Sequence, residues 1–311
     1  MAGVRRVVPL TLGWVEVPYS MSVHGAADDI RLRQPVPALL VEVDGGWLLI
    51  DTGLNPAFVR DAALCRRFHR DTGVEVWLPP GAGDPLEGAL EQVGLTLDQI
   101  DVVAVSHLHS DHAGGLRHFA RRGTPVHIQG RELDHGLGTH PAQLEADGII
   151  RVDFDHPAIT WQVADGDTEI APGVTAVRTA GHTPGHQSFI VEMDPTVGGG
   201  GYVFAFDAAD LQENIDFERA VGGSIGVPPE ATIEPIRRLK AIASARGLRL
   251  LPGHDPVAWP ALTAELADPT ADRGPGHDPR SGPRSGPRSG PRSGPRSDPR
   301  LPQAGPPGSP G

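Results

Sequence analysis

Short apolar runs, separated by turn residues, dominate the hydrophobic pattern of this chain. Runs rich in valine, leucine and isoleucine that end at glycine, proline or aspartate are typical of buried β-strands. The predicted strands cover residues 7–12, 38–43, 47–50, a segment around 102, 125–129, 159–163, 174–177, 188–192, 202–206 and 248–251. Asp44-Gly45-Gly46 predicts a hairpin turn between the second and third of these strands.

Three segments carry helix signals between the predicted strands. Residues 58–68 have helical spacing, and Asp84-Pro85 followed by Glu87 indicates a capped helix start. Residues 228–246 predict a further helix, which Gly247 ends. Strands interspersed with helices place the chain in the α/β class, although the order in which the strands pair cannot be read from one sequence.

A dense group of metal-ligating side chains follows the apolar run at residues 102–105. The sequence SHLHSDHAGG, residues 106–115, places His107, His109, Asp111 and His112 within six positions. Imidazole and carboxylate are the ligand types that borderline divalent metals such as zinc prefer. This segment therefore predicts a metal site at the end of a strand.

Three further segments end an apolar run with a metal-ligating residue. His182 follows the strand predicted at 174–177, Asp207 follows 202–206, and His254 follows 248–251. Because sites in α/β folds form where strands end at one sheet edge, these side chains can converge there. His186, four residues after His182, is expected to orient the metal loop rather than to bind metal.

The five histidines and two aspartates, in this order, resemble the metallo-β-lactamase superfamily over residues 7–260. The resemblance implies an αββα sandwich of two mixed β-sheets flanked by helices, with two divalent metal ions, zinc being the default. It assigns the ligands as follows: His107, His109 and His182 to the first metal, Asp111, His112 and His254 to the second, and Asp207 as a bridge between both.

Within the superfamily, the flanking residues are most similar to N-acyl homoserine lactonases. The similar pieces are LIDTG at 49–53, the 106–115 block, GHTPGHQS at 181–188, DAA at 207–209 and PGHDP at 252–256. This implies that a metal-bridging hydroxide opens the ring of an N-acyl homoserine lactone or a related lactone, while Asp111 passes a proton to the leaving oxygen. One position departs from the pattern, because these lactonases usually have a tyrosine where this chain has Asp210.

Three other functions are open at this point. The first is hydrolysis of a thioester, as in glyoxalase II-like enzymes, or of another ester. The second is iron-dependent oxygen or persulfide chemistry on the same fold, against which the full set of seven ligands argues. The third is a scaffold without activity, which would keep seven metal ligands without using them.

Composition and charge separate the last residues from the rest of the chain. The whole chain has 311 residues and a net charge of −12. Residues 270–311 repeat Ser-Gly-Pro-Arg, with seven arginines and three aspartates, and are predicted to be a disordered tail. The remaining residues, 1–269, are predicted to form one hydrolase domain with a charge of about −16, which argues against nucleic-acid and anionic-membrane partners.

The single cysteine, and an N-terminal sequence that does not resemble a secretion signal, are used here to predict the cellular location. Cys65 excludes an intramolecular disulfide and is typical of a reducing compartment, so we expect a cytoplasmic protein without a membrane-spanning segment. A homodimer is compatible with the sequence. Contacts to a small-molecule substrate are expected from the polar segment 130–148, with His135 and His140, and from the segment containing Met21, Val23 and His24.

Overall fold

Two β-sheets and their flanking helices form the part of the chain that this computed structural model describes, residues 3–81 and 83–267. The strands are β1 (Arg6–Pro18), β2 (Arg31–Val43), β3 (Gly46–Ile50), β4 (Glu75–Trp77), β5 (Ile100–Ala104), β6 (Pro125–Gln129), β7 (Thr160–Ala164), β8 (Thr168–Ala171), β9 (Val174–Arg178), β10 (Gln187–Glu192), β11 (Gly201–Phe204) and β12 (Arg249–Leu251). The helices are α1 (Tyr19–Ser22), α2 (Pro56–Arg60), α3 (Ala62–Phe68), α4 (Pro85–Gln92), α5 (Ser110–Ala113), α6 (Gly130–Gly138), α7 (Pro141–Ala146), α8 (Gln212–Phe217), α9 (Ile233–Arg246) and α10 (Ala258–Ala267). The predicted tail, 270–311, lies outside the described residues, so the boundary at 269 stays a prediction.

Both sheets contain parallel and antiparallel neighbours. The seven-stranded sheet has the order β4-β1-β2-β3-β5-β6-β7, and the five-stranded sheet has the order β12-β11-β10-β9-β8. In the first sheet, β3, β5, β6 and β7 are parallel, whereas β1, β2 and β4 pair antiparallel. In the second, only the β11–β12 pair is parallel. The expected pair of mixed sheets is therefore confirmed.

The hydrophobic core lies in three layers, and the sheets are covered on both faces. Leu39 and Val41 of β2 pack between the sheets with Phe189 and Val191 of β10. Leu40, between the first two, faces the helices on the outer side of the first sheet, and α9 covers the outer side of the second. Strands buried on both faces have continuous apolar sequences, and this is why the apolar runs in the sequence predict them.

The structure corrects several element predictions. Residues 58–68 do not form one helix, because the side chain of Asp61 accepts hydrogen bonds from the backbone of Ala63 and Leu64 and starts α3 after a break. The polar segment 130–148, to which no element was assigned, contains the two helices α6 and α7. The strands β4 and β8 were missed, since three or four residues are too few to show a period.

Two expectations about the chain as a whole can be compared with the structure. Within residues 3–81 and 83–267, no helix combines the length and the apolar character that crossing a bilayer requires. Cys65 is a free, buried residue of α3 and packs in the core outside the first sheet.

Candidate metal centre and its cavity

The seven predicted ligands lie together where strands of both sheets end. His107 follows β5 of the first sheet, whereas His182, Asp207 and His254 follow β9, β11 and β12 of the second. Because β10 is antiparallel to both β9 and β11, and β12 is parallel to β11, the three strands of the second sheet end at the same edge. The sheets thus bring residues 75 to 147 positions apart in sequence into one cluster.

Four of the predicted ligands form a largely buried group that we call the three-histidine half-site, consisting of His107, His109, His182 and Asp207. His109 Nδ1 lies 2.9 Å from His107 Nε2 and 2.9 Å from His182 Nε2. Asp207 Oδ2 is 3.4 Å from His182 Nε2 and 3.7 Å from His107 Nε2. All the ligand atoms lie within 4.8 Å of one another, which is the spacing of a single coordination sphere.

The other three predicted ligands, Asp111, His112 and His254, form the Asp111 half-site. His112 Nε2 and His254 Nε2 are 3.2 Å apart. The other oxygen of Asp207, Oδ1, is 3.3 Å from His112 Nε2 and 3.2 Å from His254 Nε2. One carboxylate therefore faces both half-sites, one oxygen to each, as the resemblance implied for a bridging ligand.

Hydrogen bonds on the far side of the rings orient the histidines. His254 Nδ1 lies 2.9 Å from the carbonyl oxygen of Pro35, so Nδ1 must carry the proton and donate. His112 Nδ1 lies 2.7 Å from Asp51 Oδ2, whose carboxylate also accepts from the backbone and hydroxyl of Ser106. Asp51 therefore connects the turn after β3 to the metal loop, and its backbone has a positive φ of 62°.

This orientation tests whether the residues suit a metal ion. With Nδ1 as the donor in His112 and in His254, the neutral rings point Nε2 lone pairs at each other across 3.2 Å, beside Asp207 Oδ1. Lone pairs and a carboxylate oxygen repel in a buried site unless a proton or a cation lies among them. The imidazole and carboxylate donors fit a divalent cation, and the cluster is therefore a divalent-metal site by its chemistry.

The two half-sites differ in the pKa of their histidines. Burial lowers the pKa of His107 and of His182 well below the ordinary value. Burial acts in the same direction on His112, but Asp207, Asp111 and Asp51 outweigh it and raise the pKa of His112 to about 9. Metal-ligating histidines must be deprotonated, so a cation that binds at the Asp111 half-site near neutral pH would displace a proton from His112.

Sequence analysis missed the carboxylate that connects the two ligand loops. Glu132, at the start of α6, is fully buried and accepts from Leu108 N at 3.0 Å, Thr183 Oγ1 at 2.7 Å and Gly185 N at 2.9 Å. It thereby joins the loop of His107 and His109 to the loop of His182. An isolated glutamate has no local sequence signal, because its partners come from distant segments.

His186 is buried behind the ligands and does not belong to either half-site. Its Nδ1 lies 2.9 Å from Thr179 Oγ1, and its ring packs 5.2 Å from the ring of His107. This position agrees with the expectation that His186 supports the metal loop rather than binding metal.

A cavity of about 270 Å³ opens beside the metal cluster. Five members of the cluster line it: His109, Asp111, His182, Asp207 and His254. Seven apolar residues that we call the apolar lobe also line it, namely Val15, Val17, Leu54, Phe68, Val74, Val76 and Ile225. Polar side chains, among them Gln34, Thr72 and Asp210, contribute to the same lining. Two of the expected substrate contacts, Met21 and the end of the 130–148 segment, line the cavity. Val23 and His24 do not line it, and neither do His135 and His140, which belong to α6 and to the start of α7.

Asp210, the position that departs from the lactonase pattern, also lines the cavity. It is buried, Ser22 hydrogen-bonds one of its oxygens, and Oδ1 has no partner among the described residues. Burial and the nearby charge of Asp207 raise the pKa of Asp210 to about 8. Tyr19 does not take over the missing role, since its hydroxyl donates to Glu213 and it does not line the cavity.

Two packed sheets with flanking helices, and a histidine–aspartate cluster where strands of both sheets end, indicate the class of a metal-dependent hydrolase. The family model described as the metallo-beta-lactamase superfamily matches residues 32–254. This chain belongs to that superfamily, as the resemblance in its sequence had indicated.

The chain is similar to two characterised relatives. It is 31% identical over 226 residues to N-acyl homoserine lactonase AiiA of Bacillus thuringiensis subsp. kurstaki, covering 72% of this chain and 82% of that protein. It is 32% identical over 238 residues to N-acyl homoserine lactonase AttM of Azorhizobium caulinodans, covering 73% and 84%.

Solved structures show the same similarity. An N-acyl homoserine lactone hydrolase with the product N-hexanoyl-L-homoserine at its catalytic metal centre superimposes with a TM-score of 0.69 at 27% identity, covering 82% of this chain and 94% of that one. A variant of AiiA from B. thuringiensis with N-decanoyl-L-homoserine at its active site gives the same TM-score, identity and coverage.

Proposed function

We propose that this protein is a dinuclear metal-dependent hydrolase that opens the lactone ring of N-acyl homoserine lactones. The observation that carries the proposal is a single cavity that is lined both by members of the metal-ligand cluster and by the apolar lobe. A lactone with an attached acyl chain has this same division into a polar reacting ring and an apolar tail. The relatives AiiA and AttM, and the product-bound structures, support this substrate class.

Two divalent ions held by the half-sites would supply Lewis acidity toward the lactone carbonyl and an activated water near neutral pH. The chain itself contributes the position of the reacting groups. Glu132 and Asp51 fix the loops that carry the ligands, so the geometry is preset before substrate enters. Zinc is the metal that we propose, because three imidazoles with a carboxylate suit it.

Asp111 is the residue that we assign to proton transfer. Its side chain is 17% exposed, more than that of His112, His254 or Asp207, and it lines the cavity. Ring opening breaks the bond between the carbonyl carbon and the ring oxygen, and the released alkoxide needs a proton. A carboxylate beside the site can accept a proton from the attacking water and deliver it to that oxygen. A cytoplasmic location and a homodimer remain predictions from the sequence.

The test is proton release by metal-loaded protein over a panel of short- and long-chain N-acyl homoserine lactones. Ring opening yields a carboxylic acid that is fully ionised at neutral pH, so each turnover releases one proton. We expect fast release that is lost in Asp207→Ala, which removes the carboxylate shared by both half-sites. Asp216→Ala, which removes an exposed carboxylate of α8, serves as the matched control and should hydrolyse at the unchanged rate.

A different result would redirect the assignment. Protein shown to hold two metal ions that opens no lactone, yet cleaves a thioester such as S-lactoylglutathione, would be a thioester hydrolase. Iron-loaded protein that consumes oxygen would overturn hydrolysis altogether.

A further inference from the structure

The first turn of α6 lies against both loops that carry the histidines of the three-histidine half-site. Leu108, which separates two of those histidines, donates its backbone N–H to Glu132 Oε1 at 3.0 Å. From the other loop, Thr183 Oγ1 and Gly185 N donate to Glu132 Oε2 at 2.7 and 2.9 Å. The two oxygens of one fully buried carboxylate therefore bond separate loops, one following a strand of the first sheet and one a strand of the second.

Two glycines let α6 approach both loops this closely. A Cβ atom at Gly185 would lie 2.1 Å from the backbone nitrogen of Glu132. A Cβ atom at Gly136, one turn later in α6, would lie 2.6 Å from Cδ1 of Leu108. Both distances are well below an ordinary van der Waals contact. The helix thus packs directly on both loops, and Glu132 is held in place by this packing as well as by its hydrogen bonds.

The contacts of Glu132 need an acceptor at both oxygens of the side chain. The backbone N–H groups of Leu108 and Gly185 can only donate, and they reach different oxygens. The amide of a glutamine accepts at one atom alone and would turn its NH2 group toward the other donor. An unpaired buried donor is unfavourable, so Glu132→Gln would break the link on one side while the volume of the side chain stays nearly the same.

The Asp111 half-site is supported by other groups. His112 Nδ1 bonds Asp51, and His254 Nδ1 donates to a backbone carbonyl. Among the described residues, Glu132 accepts hydrogen bonds only from the loops that carry the other half-site. Removing its link should therefore act on one half-site more than on the other.

We propose that Glu132 is a positioning residue for the metal ion of the three-histidine half-site. It fixes the loop of His107 and His109 relative to the loop of His182 before an ion binds. Because these ligands already have the spacing of one coordination sphere, an ion binds without the cost of ordering two loops. The inference rests on the metal centre of the proposed function and is independent of the lactone substrate.

The test measures zinc affinity by chelator competition in two backgrounds of the full chain, each of which keeps one half-site. Asp111→Ala keeps the three-histidine half-site, and His182→Ala keeps the other one. We expect Glu132→Gln to weaken zinc binding by about 10–100-fold in the Asp111→Ala background. In the His182→Ala background it should change the affinity little, whereas a general loss of stability would weaken both sites alike.

A milder pair of variants tests the same link if Glu132→Gln does not fold. Thr183→Val removes only the hydroxyl, so it should weaken zinc binding in the Asp111→Ala background by about 3–10-fold, as one hydrogen bond allows. Thr183→Ser keeps the hydroxyl and should retain most of the affinity. The matched control is Glu145→Gln, the same exchange in α7 at a side chain that pairs with Arg67, and it should change neither affinity.

Equal weakening in both backgrounds overturns the positioning role of Glu132. Unchanged zinc binding by Glu132→Gln, or by Thr183→Val where it is the variant that folds, in the Asp111→Ala background does the same. These outcomes leave the proposed function intact, because the wild type would still hold its two ions. Wild-type protein that binds no metal ion overturns the proposed function as well.

Discussion

The two half-sites share Asp207 but balance their charge in different ways. The three-histidine half-site is built from rings whose pKa burial lowers, so its own charge comes from the shared carboxylate alone. The Asp111 half-site adds a second carboxylate, and Asp51 lies directly behind His112. As a result, protonated imidazole competes with a cation in the Asp111 half-site, whereas the three-histidine half-site offers uncharged ligands at neutral pH.

This difference shows how one fold can place two cations close together. A site with many neutral ligands holds a cation through coordination, and a site with more negative charge offsets the repulsion between the two cations. The half-sites should therefore respond differently when a ligand or a supporting hydrogen bond is removed.

The strongest way to break the comparison is to remove one ligand from each half-site in turn. His182→Ala and Asp111→Ala should each lower the metal content from two ions to one per chain, because the remaining half-site keeps Asp207. Each should reduce lactone hydrolysis by at least about 100-fold, since both half-sites act together. Metal analysis after gel filtration and proton-release kinetics measure the two effects. Loss of both ions in His182→Ala alone would show that the half-sites do not bind separately.

A milder change tests the support behind the Asp111 half-site. Asp51→Asn keeps the side-chain shape, and asparagine tolerates the positive φ of this position. The amide cannot accept from both Ser106 and His112 as the carboxylate does. Removing such a partner typically lowers metal affinity by about 10–100-fold, so the more weakly held ion should dissociate more readily in chelator competition. An equal loss at both half-sites would mean that Asp51 acts through the whole loop instead.

Part of the histidine–aspartate cluster could be predicted because some of its members closely follow an apolar run in the sequence. A buried strand fixes where its last residue lies, so a side chain within a few residues of that end is placed by local information. This applies to His107, Asp207 and His254, and it applies to Asp51 after β3. The fold class followed from the same apolar runs, although the order of strands in each sheet did not.

The apolar lobe could not be predicted for the opposite reason. Its wall combines Val15 of β1, Phe68 of α3, Val76 of β4 and Ile225, residues that share no motif and meet only after the sheets have packed. Glu132 was missed on the same ground, since its role depends on partners from distant segments. Short strands such as β4 contribute to this wall and have too few residues to be recognised.

The last prediction concerns stability and a buried carboxylate outside both half-sites. Unlike the carboxylates of the half-sites, it has no histidine beside it among its hydrogen-bond partners. Asp153 is 2% exposed, accepts from Asn55 Nδ2 at 2.7 Å, and its Oδ2 has no partner among the described residues. Burial raises the pKa of Asp153 from 3.8 to about 7, although the hydrogen bond from Asn55 and the charge of Arg117 oppose the shift.

This shift has a defined consequence for stability. Between pH 3.8 and about 7 the folded state binds more protons at Asp153 than the unfolded state does, so its contribution to the free energy of unfolding falls as pH rises through that window. Asp153→Asn removes the charge, and the variant should gain stability over the wild type from pH 5 to pH 8, by roughly 2–4 kcal/mol at most. Thermal unfolding at both pH values measures this gain, and Asp155→Asn, an exposed carboxylate paired with Arg151, is the control without such a trend. If the stability difference between Asp153→Asn and the wild type were the same at pH 5 and pH 8, Asp153 would already be ionised in the folded protein at pH 5. Burial without a metal or a histidine partner would then not suffice to keep this carboxyl group neutral.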